Sequence, residues 1–148
     1  MKRIVVPLDA SPVAESVLPV VADLARAGGG SIRLLRVEPL PDNCVGSDGR
    51  VVAYADQEMA RLEAEGLDYL RAVAARLGGI PIESCVRFGD PLTEILKEAD
   101  AFNADLIAVT TAGRSGLGRT VLGSVAERVF RKAETPVLLY RPSRADLA

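Results

Sequence analysis

Ile4-Val5-Val6-Pro7-Leu8-Asp9-Ala10-Ser11-Pro12 decides the fold. Its first five residues are apolar on consecutive positions. That pattern marks a strand buried on both faces, as strands of a parallel sheet are. Ser11 then has the side chain of a helix N-cap, and Pro12 fits the first helical position, where a missing N–H costs nothing. Val13, Val17, Val20, Val21 and Leu24 fall on one face of the helix this predicts, and Gly28-Gly29-Gly30 ends it. A buried strand feeding directly into an amphipathic helix is the first half of a βαβ unit.

The same alternation continues outward. Ser31 to Val37 reads as a second strand, followed by a Pro- and Gly-containing loop to about Gly49. A long helix from about Val51 to Leu77 offers Met59, Leu62, Leu67, Leu70, Val73 and Leu77 as its buried face. Ile82 to Phe88 is a third strand. Asp90-Pro91 repeats the cap-then-proline device and opens a helix through Glu94, Ile95, Leu96 and Ala99. Ala104 to Thr110, Ser124 to Ala133 and Pro136 to Tyr140 give strand, helix and strand. Strands joined by helical crossovers imply a doubly wound, five-stranded parallel sheet with helices on both faces, Rossmann-like in architecture. No shift of composition divides the chain, so residues 1–148 are expected to form one domain. Ligands of such sheets bind outside the carboxyl ends of the strands, where the strand order reverses; the order itself is not readable from periodicity.

The totals exclude several classes of function. The 148 residues are 49% hydrophobic and 26% charged, with a formal charge of −2. That balance argues against whole-chain disorder and gives no reason to expect nucleic acid or a membrane surface as partner. There is no histidine, so Ser-His-Asp and Cys-His nucleophile schemes are impossible and the commonest metal ligand is missing. Cys44 and Cys85 make no disulfide framework. Cys85 lies in an apolar run and is expected to be a structural thiol. Met1-Lys2-Arg3 leads straight into the first strand, which ends too early for a signal-peptide core, and no stretch approaches the roughly 20 apolar residues of a membrane span. A cytoplasmic location is expected by default.

The segment Thr110-Thr111-Ala112-Gly113-Arg114-Ser115-Gly116-Leu117-Gly118-Arg119-Thr120-Val121-Leu122-Gly123-Ser124 follows a strand and leads into a helix. Glycines let backbone N–H groups face a ligand, and a helix start adds free donors and a positive dipole end, so anions suit this place. Gly113 to Thr120 nearly matches the G-x-x-x-x-G-K-[ST] phosphate loop, but Arg119 stands where the lysine belongs. The loop also follows the fourth strand instead of the first, so a true P-loop is rejected. No G-x-G-x-x-G follows the first strand, and a dinucleotide fingerprint is therefore missing.

Val6-Pro7-Leu8-Asp9-Ala10-Ser11, Val37 closing the second strand, and the block from Gly113 to Pro142 together resemble the universal stress proteins. The most specific part is Gly113 to Leu117 with Gly123-Ser124-Val125-Ala126-Glu127-Arg128-Val129 and Thr135 to Leu139. The resemblance implies an adenine-nucleotide alpha-hydrolase-like fold and a site for ATP or AMP. ATP-binding members carry G-x-x-G, nine residues, then G-[ST]; Gly113, Gly123 and Ser124 satisfy the later part, while Thr110 stands at the first glycine. Carried over by position, the resemblance puts adenine against Val37 and ribose or phosphate around Pro7, Leu8, Asp9 and Ser11. It lines the ribose side with Val109 and Thr110, and sets the phosphates near Gly113, Arg114, Gly123, Ser124 and Val125. No catalytic residue is implied; magnesium or manganese would enter only with ATP, oriented by Asp9. The Thr110 side chain either narrows the approach to the ligand or donates a hydrogen bond to it.

Plainer readings stay open beside these. Gly113 serves equally as a turn residue with positive φ. Ser124 and Glu127 form the S-x-x-E of a capping box, which needs no ligand. Asp9 suits a local cap, and Arg114 and Arg119 suit an ordinary surface. Pro136-Val137-Leu138-Leu139-Tyr140-Arg141 is apolar with little chain after it; as an edge strand it would pair antiparallel with its own copy, and the resemblance implies a similar homodimer. Three functions follow: a nucleotide-dependent dimeric binding or signalling module of the stress response, a ligand-free dimeric interaction protein of the same fold, and a slow ATPase using Asp9 or Glu38. A fold-related ligase or pyrophosphatase would be expected to show a Ser-Gly-Gly loop after the first strand, and Asp9-Ala10-Ser11-Pro12 is not one.

Overall fold

A computed structural model describes residues 2–41, 51–111 and 122–147. The elements run β1 (Arg3–Pro7), α1 (Pro12–Glu15), α2 (Leu18–Gly28), β2 (Ser31–Glu38), α3 (Val51–Ala75), β3 (Ile82–Phe88), α4 (Pro91–Ala101), β4 (Leu106–Thr110), α5 (Ser124–Lys132), β5 (Val137–Tyr140) and α6 (Arg144–Leu147). The five strands form one sheet in the order β3-β2-β1-β4-β5, every pair parallel. Val5 of β1 stands between Arg33 of β2 and Ile107 of β4, so the chain winds outward in both directions from β1. The order reverses between β1 and β4.

The alternation of β1 divides the core between two faces. Ile4 and Val6 face one way and pack with Val17, Val21, Leu34, Leu70 and Val73 from β2 and the helices α2 and α3. Val5 faces the other way and packs with Leu35, Ile95, Ile107, Val109, Ala126 and Val129, under α4 and α5. Consecutive apolar residues are what this burial from both sides requires. α4 is further tied down by Glu98, only 3% exposed, whose carboxylate accepts from Arg33 at 3.1 Å and from Arg87. A buried carboxylate needs such partners. Cys85 lies half-buried against the same face, and burial together with the Glu98 carboxylate pushes its thiol pKa up, away from the reactive thiolate.

The first helix differs from the sequence expectation. Instead of one helix from Ser11 to Gly28 there are two, broken at Ser16-Val17. Pro19 has no N–H for the Glu15 carbonyl and its ring would collide with it; Ser16 N–H bonds back to Val13 O at 3.1 Å instead. The break shifts the buried stripe to Ala14, Val17, Leu18, Val21, Ala22 and Ala25, and leaves the expected core residues Val20 and Leu24 at 36% and 37% exposure. β4 starts at Leu106, two residues later than the apolar run suggested, while Asp105 accepts the N–H groups of Lys2 and Arg3 at 2.9 Å each. α6 was not foreseen. Its signal was Ser143-x-x-Asp146: Ser143 Oγ accepts the Asp146 N–H and the Asp146 carboxylate accepts the Ser143 N–H.

β5 hydrogen-bonds to β4 alone and is an edge of the sheet. Among the described residues no helix is long and apolar enough to cross a membrane.

Candidate functional site

Where β1 and β4 part, their carboxyl ends open onto a cavity of about 260 Å³. This is close to the lower end, roughly 300 Å³, of small-molecule sites. Pro7, Leu8 and Asp9 reach it from the end of β1, Val37 from β2, Val109 and Thr110 from β4, and Gly123, Ser124 and Val125 from the start of α5. These residues come from four separate stretches of chain. Ala14, Arg36, Pro91, Ile95 and Ala126 also line the cavity; they had been read as helix, strand or core positions, and periodicity carries no signal that would have drawn them here. Ser11 does not line the cavity but is bonded to Asp9, which does. Gly113 and Arg114 lie outside the described residues, as do Arg119 and Cys44.

The start of α5 is chemically unusual. The helix begins at Ser124, so Ser124 is its first helical residue and Gly123 its N-cap, and among the described residues no side chain caps the first turn. The expected Ser124–Glu127 capping box is therefore not formed. Glu127 reaches along the helix to Arg131 instead, at 3.0 Å. A helix start holds unpaired N–H groups and the positive end of the helix dipole, and both favour an anion. Gly123 is here for a close approach: its N–H donates to Thr111 O at 2.6 Å, and a Cβ on it would lie 3.0 Å from that same oxygen. The Thr111 hydroxyl, buried beside this junction, has no hydrogen-bond partner among the described residues.

Opposite, the turn after β1 is built around Asp9. Its Oδ1 accepts the Ser11 N–H at 3.0 Å and the Ser11 hydroxyl at 2.6 Å, while Ser11 Oγ accepts the Ala14 N–H at 3.1 Å and so caps α1. Ala10, inside this turn, has φ of 68°, the left-handed region that a residue with a Cβ rarely adopts. The Thr110 hydroxyl donates to the Ala14 carbonyl at 3.0 Å. The hydroxyl proton, one of whose expected uses was donation to a ligand, is directed at α1 in this structure.

Two ion pairs frame the cavity. Arg36 pairs with Glu38 at 2.9 Å, both side chains largely buried at 13% and 14% exposure. This engages one of the two carboxylates considered for hydrolysis. Asp90 caps α4 through the Thr93 N–H at 3.1 Å and accepts both Arg128 guanidinium nitrogens, at 3.0 and 3.1 Å. The Arg128 pairing, with the Thr93 bonds, holds the Asp90 pKa down at about 2. The start of α4 is thereby joined to the middle of α5. Among the described residues no three His, Cys, Asp or Glu side chains gather as a metal-ligand set.

A parallel sheet reversed at its middle, with a cavity and a helix start at the reversal, defines an α/β protein of the Rossmann-like class, with its candidate site where such sheets hold small molecules. The chain belongs to the universal stress protein family, whose family profile matches residues 1–141. A universal stress protein of Thermus aquaticus is 32% identical over 142 residues, covering 95% of this chain and 98% of that one. Universal stress protein MJ0531 of Methanocaldococcus jannaschii is 39% identical over 87 residues, covering 57% of this chain and about half, 51%, of its own length. Among solved structures, hypothetical protein MJ0577 superposes with a TM-score of 0.82 at 26% identity, over 97% of both chains. A universal stress protein solved in complex with cAMP gives 0.65 at 24% identity, covering 96% and 98%. One from Archaeoglobus fulgidus in complex with dAMP gives 0.59 at 23%, covering 94% and 97%. The last two likenesses speak for the fold. The five-stranded parallel sheet flanked by helices is the fold shared by these structures.

Proposed function

We propose that this chain is an adenine-nucleotide-binding module, taking ATP or AMP in the cavity between β1 and β4 and acting as a nucleotide-dependent dimeric binding or signalling protein in the cytoplasm. The observation that carries the reading is the first turn of α5, which lines the cavity without a side-chain cap. The phosphates sit there, at Gly123, Ser124 and Val125; Gly113 and Arg114, which the resemblance adds, lie outside the described residues. The base lies toward Val37, and the ribose lies between Asp9 and Val109-Thr110. Adenine nucleotides in solved structures of the same fold support the ligand class. A metal ion enters only with the triphosphate, next to Asp9, the one carboxylate among the described residues that line the cavity.

Dimerisation uses the open edge of β5. Ile107 N–H donates to the Pro136 carbonyl and Thr111 N–H to the Tyr140 carbonyl. The backbone N–H and C=O groups of Leu138 and Tyr140 therefore face β4, and those of Val137 and Leu139 face outward at the open edge, where a second copy can pair with them.

The test is to denature freshly purified protein, identify released small molecules by mass, and titrate the emptied protein with ATP and AMP, with and without magnesium. Released or bound adenine nucleotide is the expected result. Silence at millimolar ATP and AMP overturns the reading in favour of a ligand-free dimeric interaction protein of the same fold.

A further inference from the structure

We infer that Thr110 is a positioning residue of this site. Its hydroxyl closes a hydrogen-bonded bridge that ties the carboxyl end of β4 to the Asp9 turn at the end of β1, across the point where the two strands part. The inference rests on the nucleotide reading above for its functional meaning, though the bridge itself is a property of the ligand-free chain.

The bridge has four links. The Asp9 carboxylate holds the Ser11 hydroxyl at 2.6 Å, and the Ser11 oxygen holds the Ala14 N–H at 3.1 Å. The Ala14 peptide carries the connection through α1, and its carbonyl accepts the Thr110 hydroxyl at 3.0 Å, from 96 residues away in sequence. Asp9, Ala14 and Thr110 all line the cavity, so the bridge forms part of the wall against which a ligand would sit.

α1 needs such a tie. It has only four residues and ends where Pro19 forbids a continuous helix. A single turn has little stability of its own, since helix nucleation is unfavourable and most helical stability comes from packing. The turn that enters it holds Ala10 at φ of 68°, a conformation that persists only where its surroundings enforce it. Glycine at 110, the residue that the resemblance to ATP-binding members would place there, has no donor for the Ala14 carbonyl. Threonine therefore presets the spacing between α1 and β4 that glycine would leave to the ligand. Preorganisation of this kind strengthens binding by lowering the ordering cost.

Three variants test this: Thr110→Val, which keeps the shape and removes the donor, Thr110→Ser, which keeps the donor, and Ser11→Ala, which cuts the bridge at another link. Two measurements apply to each: amide exchange across residues 11–18 in the ligand-free protein, and titration with AMP and with Mg·ATP. Thr110→Val is expected to speed exchange in that segment and to weaken binding about tenfold, the size of one buried hydrogen bond. Thr110→Ser is expected to restore both. In the Ser11→Ala background, Thr110→Val should add less than twofold, because one bridge cannot be cut twice. Unchanged exchange in Thr110→Val overturns the inference whether or not nucleotide binds. Faster exchange with binding equal to the parent protein's overturns the positioning role while leaving the nucleotide reading standing. If the parent protein binds no nucleotide, the nucleotide reading fails and the positioning role fails with it, and only the bridge survives, judged by the exchange data.

Discussion

Ser124→Glu pits helix stability against ligand binding. Ser124 is the first residue of α5, exposed, and no side chain caps that turn. A carboxylate placed there interacts favourably with the helix dipole and should stabilise the folded chain by about 0.3–1 kcal/mol. Glu127, three residues on, is paired with Arg131, which blunts its repulsion of the new carboxylate, and Arg128, four residues on, is already paired with Asp90. The same carboxylate would stand about 5 Å from a phosphate seated on this turn. At an effective dielectric constant of about 20, two unit charges at that distance repel by about 3 kcal/mol, or roughly two decades in affinity. Thermal unfolding without ligand should therefore show a slightly higher Tm, while calorimetric titration with AMP or Mg·ATP shows affinity lower by about a hundredfold. Ser124→Gln, of the same size without the charge, should keep most of the affinity and so separates charge from bulk. A Ser124→Glu protein that binds within twofold of the parent would refute the placement of the phosphates on α5.

Leu139→Pro removes a β5 N–H that faces the open edge and leaves the ladder to β4 intact; sedimentation should show the parent chain as a dimer and the variant as a monomer, and a dimeric variant would exclude β5 as the interface. Asp90→Asn keeps a good N-cap for α4 but loses the charge that pairs with Arg128. Because the Asp90 pKa is depressed to about 2 from an ordinary value of 3.8, its contribution to stability is complete above about pH 4 and is lost as pH falls toward 2. Urea unfolding as a function of pH should therefore show the variant less stable at neutral pH, with the difference shrinking through that window. Ala10→Gly relieves the left-handed strain after β1 and should raise stability by about 1 kcal/mol in urea unfolding; an unchanged or lower value would mean that this turn is not strained.

The kind and order of the central elements were legible because short-range physics sets them. The β-branched run Ile4-Val5-Val6 can be satisfied only by burial on both faces, and Ser11-Pro12 and Asp90-Pro91 each write a helix start in two residues. Phase was less secure. Val20 and Leu24 were assigned to the core because the apolar spacing was read through Pro19, where the helix breaks and its stripe rotates.

The candidate site was readable only as a set of strand ends. From its own sequence the chain determined which residues stand at carboxyl ends of strands and which helix follows the glycine-rich stretch, since periodicity and turn chemistry act within a few residues. Tertiary structure alone decided that β1 and β4 lie side by side with the order reversed between them, that Arg36 and Pro91 reach the same cavity as Asp9, and that Glu127 turns to Arg131 and leaves α5 uncapped. It also gave the Thr110 hydroxyl to Ala14. Each of these is a choice among partners distant along the chain, and local sequence places no weight on any one of them until the sheet has brought them together.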